Sequence, residues 1–274
     1  MAKSALIKSS LAKKYWMALT GLFLCLFLVG HLAGNLQLIF SDALHFNQYA
    51  LFMTTNPAVK ALSYLTYISI VFHAIDGILL TVQNRKARPI RYASEKPEAN
   101  TIWASRNMAV LGTVILVFIV THMITFWGAM HFDKNMPLQT TEIAVQQGAP
   151  AQQFYITTTG SYMPVNGVDI KNRTEFYDKN AKVKIAEGYK DLHKITVAFF
   201  KQPKYGLIYT ILYVLSMVVL GFHLYHGFSS AFQSIGINNR KYNPIIRGFG
   251  KGFAILVPAL FAIIPLYIHF FLKA

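Results

Sequence analysis

The sequence predicts an all-α membrane protein with five transmembrane helices, the first four forming an up-down bundle, and three observations carry that prediction. Hydrophobic residues make up 54% of the chain and charged residues 14%, where an ordinary soluble domain carries about 25% charged residues. Five apolar runs, at residues 15–38, 61–83, 107–128, 205–232 and 252–272, each reach the length of about 20 residues needed to cross about 30 Å of hydrocarbon. Basic residues also cluster in alternate connections between those runs, the pattern that holds short loops on the cytoplasmic side.

The first run follows Lys3, Lys8, Lys13 and Lys14. It is too long for a signal peptide and no small-residue cleavage site follows it cleanly, so a retained helix is expected. After it, 43-ALHFNQYALFM-53 reads as a short amphipathic helix ended by 56-NP-57. The second run carries Asp76, the only acidic residue well inside a span, which is either functional or makes a structural hydrogen bond to a neighbouring helix. Arg85, Lys86, Arg88, Arg91, Lys96 and Arg106 separate it from the third run.

The connection at 131–204 exceeds the length over which the charge rule acts. Within it, 153-QFYITTTGSYMPVNGVDI-170 places β-formers around a Val-Asn-Gly turn, predicting a small hairpin. The stretch 190-KDLHKITVAFFKQPKY-205 looks interfacial. No separate soluble domain is expected in the chain. Arg240, Lys241, Arg247 and Lys251 precede the fifth run, which contains Pro258 and Pro265. Three basic segments therefore share one side, which places the N-terminus in the cytoplasm and the C-terminus outside. Trp16, Trp103 and Trp127, near span ends, read as interface anchors.

The one cysteine, Cys25, excludes a disulfide framework or a cysteine-ligated cluster within the chain. No Gly-rich phosphate or dinucleotide loop is present. The net charge of +15 reads as membrane topology and contact with anionic lipid, with no nucleic-acid partner expected.

Of nine histidines, His31, His73, His122, His223, His226 and His269 fall within the spans. A single intramembrane histidine can bond to a neighbouring helix or line a polar cavity. Depth adds a pattern: His31 and His122 lie toward the outer leaflet, His73 and His223 toward the cytoplasm, with levels on the order of 10 Å apart from the helical rise. In an up-down bundle the first and third helices are diagonal, as are the second and fourth. Each pair can then face itself across a flat macrocycle, one imidazole above the iron and one below. Gly34, Gly77 and Gly227 follow His31, His73 and His223 by about one turn, leaving room for a porphyrin edge; the alternative for each is small-residue helix packing.

The segments 31-HLAGN-35, 73-HAIDG-77, 121-THMITFW-127 and 223-HLYHGF-228, in this order on four helices, resemble the five-helix, di-haem cytochrome b membrane anchor of succinate dehydrogenases and fumarate reductases, the respiratory complex II of the tricarboxylic acid cycle. The resemblance covers nearly all of the chain except the long loop. It implies a subunit of a bacterial cytoplasmic membrane that binds two haems b and a quinone, menaquinone in the expected case. It also implies a flavoprotein and an iron–sulfur protein anchored on the cytoplasmic face. The outer iron would be held by His31 and His122 and the inner by His73 and His223, with His226 as the alternative to His223.

The resemblance further implies a quinone pocket near the outer haem, for which His45, Tyr49 and Phe52 are the candidates. Where menaquinone-type members often carry a carboxylate, 46-FNQYALFMTTNP-57 has Gln48 and no acid, and Asp42 and His45 are the nearest titratable groups. Lys13, Lys14 and Arg106 are candidate partners for inner-haem carboxylates, and 84-NRKARPIRY-92 a candidate docking loop for the iron–sulfur subunit. The competing readings are the cytochrome b of a hydrogenase or formate dehydrogenase, and a proton-coupled transporter with relay histidines. No residue of the chain is expected to act on succinate itself.

Overall fold

The computed structural model describes residues 9–87, 96, 99, 101–144 and 150–273. Among them are five helices long and apolar enough to cross a membrane: α1 (Ser10–Phe40), α3 (Pro57–Lys86), α5 (Met108–Phe132), α7 (Gly206–Ser234) and α8 (Asn243–Phe270). Shorter helices are α2 (Ala43–Thr55), α4 (Trp103–Arg106) and α6 (Leu192–Lys201). The spans run beyond the predicted apolar cores because polar ends continue the helix. The largest extension is at α8, which starts at Asn243 with Pro244 in its first turn, where a fixed φ suits a helix start. Pro258 and Pro265 lie inside α8 without ending it.

Helix α1 packs on α3 and α7, and α5 packs on α7 and α3, so the four form a ring in which α1 faces α5 and α3 faces α7. Helix α8 lies outside the ring against α7 and α1. In hydrocarbon, helices gain little from burying apolar side chains against each other, so close backbone approach matters more. A Cβ at Gly221 would lie 3.1 Å from the Ala254 carbonyl oxygen, and one at Gly250 would lie 2.8 Å from Phe228. Those two glycines set the α7–α8 spacing.

Helix α2 occupies the predicted amphipathic segment. Asp42 caps it through the His45 amide, and Asn56 caps α3 through the amides of Ala58 and Val59. The predicted interfacial segment forms α6, capped by Asp191 through Lys194 N.

Between α5 and α6 the chain departs from an all-α design. Strands β1 (Thr140–Ile143), β2 (Gln152–Ile156) and β3 (Tyr162–Pro164) form one antiparallel sheet, and β4 (Val168–Lys171), β5 (Glu175–Asp178) and β6 (Lys184–Glu187) form a second. Phe176 is fully buried between Leu138, Val168 and Tyr155, giving this module a core of its own where a hairpin alone was expected. The predicted turn is also displaced. The β2–β3 hairpin turns over 157–161, with Gly160 at φ +84°, while Val165–Gly167 is a 3₁₀ turn leading into β4. Gly160 supplies the φ > 0 residue of the hairpin turn without Cβ strain.

The β module, α2, α6 and the C-terminal end of α8 share one end of the bundle. The Lys201 ammonium donates to the Leu272 carbonyl and His269 Nδ1 to that of Phe200, 2.7 Å away. Asn47, only 1% exposed, joins α2 to the module: its amide donates to Gln139 and to Asp191 (2.8 Å), and its oxygen accepts from the His193 amide at 3.0 Å. The start of α1, α4 and the α7–α8 connection lie at the opposite end.

Candidate functional site

A cavity of about 1590 Å³ runs through the ring of α1, α3, α5 and α7, bordered at one end by α2 and α6. Ligand pockets for drug-sized molecules occupy about 300–1,000 Å³, so this space suits more than one large ligand. All four predicted histidines line it.

They meet in two pairs. The rings of His31 and His122 have centroids 5.9 Å apart at 86°, and those of His73 and His223 are 6.2 Å apart at 66°. A metal between two imidazoles, with metal–nitrogen bonds of about 2 Å, sets ring centroids about 6 Å apart. Each pair supplies only two donors. Among the described residues no group of three or more His, Cys, Asp or Glu is placed around a metal ion. A metal held by either pair would need its remaining ligands from outside these side chains.

Glycines set the two levels. A Cβ on Gly21 of α1 would lie 3.1 Å from His73, and one on Gly112 of α5 would lie 3.7 Å from His223. Each precedes the other pair's histidine on its own helix, His31 or His122, by ten residues. At 1.5 Å per residue the levels are about 15 Å apart, wider than the expected separation. Sequence reading passed over Gly21 and Gly112 because it looked for glycine after a histidine on the same helix, whereas Gly21 makes room for a histidine across the bundle and Gly112 faces one at ordinary contact distance.

The predicted glycines divide. A Cβ at Gly77 would meet nothing within 4 Å, and the same holds at Gly30, so both leave open cavity wall. Gly227 has only the Met108 methyl, at 3.9 Å. Gly34 does not leave a gap: Tyr49 fills it, with its ring within 2.7 Å of a built Cβ.

Hydrogen bonds orient the rings. His73 Nδ1 lies 3.2 Å from the Met17 carbonyl and 3.3 Å from the Thr20 hydroxyl. A carbonyl only accepts, so Nδ1 carries the proton and Nε2 keeps its lone pair, the arrangement that prepares a metal ligand. His122 Nδ1 is 3.4 Å from the Tyr213 hydroxyl. Asn35 donates to the His31 carbonyl at 2.8 Å and its amide faces the ring. The buried His223 Nδ1 has no hydrogen-bond partner, and such a group is costly unless something else meets it. His223, and not His226, faces His73; His226 lines the cavity one turn on, next to Gly227.

Two local features were not legible in sequence. Immediately after His122 the backbone widens into a π-helical turn, Met123–Gly128, a feature frequent at functional sites. It brings Phe126 against His122 with centroids 5.3 Å apart. The second is His131, at the end of α5, which also lines the cavity.

Of the three quinone candidates only Tyr49 reaches the cavity. His45 is exposed, and Phe52 is 52% exposed on the outer side of α2. The helical period decides this: Phe46, Tyr49, Ala50 and Met53 share the inner face. Asp76 is half-buried within electrostatic reach of Lys13 and His73. Lys14 lines the cavity, whereas Arg106 donates to the Thr101 carbonyl at 2.5 Å. Arg85 lies in the last turn of α3, and Arg88 and Arg91 of the candidate docking loop fall outside the described residues. Comparison of the chain with protein-family models, with curated proteins and with solved structures gives no match.

Proposed function

We propose that this chain is a membrane-anchor cytochrome b subunit that passes electrons between an iron–sulfur subunit and the quinone pool through two bis-histidine haems b, as in succinate:quinone oxidoreductases. The single observation that carries the reading is the pair of facing imidazoles at each of two levels, at the spacing an iron would bridge. The donor set fits the group. Two facing imidazoles per site, an open ring interior, Cβ-free wall at Gly30 and Gly77 and an orphaned His223 nitrogen would fit a flat macrocycle.

When bound, a haem iron accepts and releases one electron at a time. The protein's share would be to fix the paired imidazole rings and exclude water. Met17 and Thr20 hold the His73 tautomer, Tyr213 and the π-helical turn hold His122, and Asn35 and Phe27 hold His31. Levels about 15 Å apart lay out a route along the bundle axis. One end of it carries the basic segments, proposed to lie in the cytoplasm of a bacterial cell against the iron–sulfur and flavoprotein subunits. The other carries α2 and the β module, proposed to face outward, where the quinone, menaquinone in this reading, would bind.

A reduced-minus-oxidised visible spectrum of the purified chain tests the proposal. The expected result is a b-type band with two haems per chain. A chain without haem would overturn it and leave the proton-coupled transporter. Haem in the purified chain together with co-purification of a hydrogenase or formate dehydrogenase partner would leave the cytochrome and change the complex.

A further inference from the structure

At the β-module end the cavity opens beyond the level of His31 and His122 into a mouth that neither histidine pair uses. Tyr49 of α2, Lys60 and Tyr67 of α3, and Trp127 and His131 of α5 line it. His131 is half-buried and its ring is fixed in two ways. Its Nδ1 lies 2.8 Å from the Trp127 carbonyl oxygen, which can only accept, so Nδ1 carries the proton. Its ring stacks on that of Trp127 with centroids 4.4 Å apart at 26°. Trp127 in turn meets Tyr67 edge-on at 5.8 Å. A histidine held by Nδ1–H presents a bare lone pair at Nε2.

The backbone beneath it is fixed as well. Arg173 donates to the His131 carbonyl, and Lys190 Nζ donates to the Met130 carbonyl at 2.5 Å. Both satisfy carbonyls at the C-terminal end of α5, where a cation is favourable. Arg173 reaches there from the β4–β5 turn with φ +70°, a conformation that costs a side-chain-bearing residue and persists where its surroundings hold it. The β module thus sets the end of α5, and with it the histidine.

We infer that His131 Nε2 is the hydrogen-bond acceptor for a hydroxyl of a hydroquinone ring seated in this mouth. The inference rests on the proposed function and names a residue of the quinone site. A flat aromatic diol suits the mouth because its faces can pack on Tyr49, Tyr67 and Trp127 while one O–H meets the lone pair. The same place was expected to need a titratable group, and the 46–57 segment supplies no acid; His131, on a different helix, supplies the polar atom.

The test is direct binding to the full chain, followed under anaerobic conditions by quenching of tryptophan fluorescence. The probes are 1,4-naphthohydroquinone and 1,4-dimethoxynaphthalene, the same ring without O–H. The chain as it stands should prefer the hydroquinone by about tenfold, the worth of one hydrogen bond. H131A should lose that preference while keeping its affinity for the dimethoxy ring, and H131Q, which retains an acceptor, should recover part of it. An unchanged preference in H131A would overturn the inference. Equal loss of both ligands in H131A and H131Q would also overturn it, by showing that the residue only shapes the mouth. None of these readouts uses haem: a chain without haem that shows the His131-dependent preference sinks the cytochrome reading alone, and a haem-loaded chain without it sinks this one alone.

Discussion

The two histidine pairs share their chemistry and differ in what surrounds them. His31 and His122 sit among rings: Phe27 stacks on the first at 5.2 Å, Phe118 on the second at 5.7 Å, and Phe126, Tyr213 and Phe261 close around them. His73 and His223 sit against what is missing, the side chains of Gly21 and Gly112, with the Met17 carbonyl as the fixed point. One level is shaped by adding volume and the other by removing it. Volume shared among several rings can redistribute when one changes. A space created by one absent Cβ cannot, so the second level should be the less tolerant of single substitutions.

The largest effect that could break this comparison comes from the donors themselves. If the two proposed haems are bound, His31→Leu should remove one of them and leave the other, and His73→Leu should do the reverse, since the pairs share no ligand. Each variant should therefore keep about half of the wild-type haem per chain, measured after denaturation as the pyridine complex, given one axial pair per iron. His226→Leu, which leaves both facing pairs intact, should keep it all. If His31→Leu emptied both levels, the pairs would not be independent.

Gly21→Val sharpens the contrast. A Cβ there lies 3.1 Å from His73 Cε1, and the added methyls push further into a helix contact with no slack, an overpacking cost of about 1–3 kcal/mol. Haem retention at the His73–His223 level should fall severalfold while the other level is spared. Gly30→Ala, where a Cβ meets nothing within 4 Å, should retain both haems. Should Phe27→Leu cost more haem than Gly21→Val, the assignment of tolerance to the ring-lined level is reversed.

A smaller effect on haem content should come from the clamp above the ring-lined level. Asn47→Leu strips partners from Gln139, Asp191 and the His193 amide in a buried place, a loss of about 1–3 kcal/mol for each group left unsatisfied. The expected outcome is a lower unfolding temperature and faster proteolysis within 138–190, with the absorbance of the His73–His223 haem unchanged. Loss of that haem first would mean that the polar clamp supports the whole bundle.

The five apolar runs and the four histidines on them were legible in sequence because both rest on spacing along one chain. Hydrocarbon thickness fixes the length of a run, and the helical rise fixes the depth of a residue in it. What was not legible depends on partners from elsewhere. Gly21 and Gly112 act on histidines of other helices, Tyr49 fills the gap expected at Gly34, and His131 gains its role from Trp127 and Arg173. The β module was missed for a related reason: its strands are three to five residues long, too short for alternation to stand out, and its core is closed by contacts between two sheets. His45 and Phe52 were chosen for their chemistry, and the period of α2 turned both outward.

The smallest expected effect is a pH dependence confined to the β-module end. Burial against Phe46 of α2 pulls the His193 imidazole of α6 below its ordinary value of 6.5, with Asp191 and Asp42 pulling the other way. Near neutral pH the folded and unfolded states both hold it uncharged, and it contributes nothing to the difference between them. As pH falls through 6.5 the unfolded chain takes up the proton first, so stability declines with falling pH and levels off once the folded imidazole is also protonated. The carboxylates of Asp169, Glu175 and Asp178 are held below their ordinary values by Lys182, Lys184 and backbone amides, so their contribution is lost only in more acidic solution, below about pH 4.5. The window between pH 5 and about 6.5 therefore separates the histidine from them. Proteolysis within 138–190 should quicken from pH 7 to pH 5 in the wild-type chain and change less in His193→Gln, whose side chain does not titrate. An equal pH response in both chains would leave His193 without a part in it.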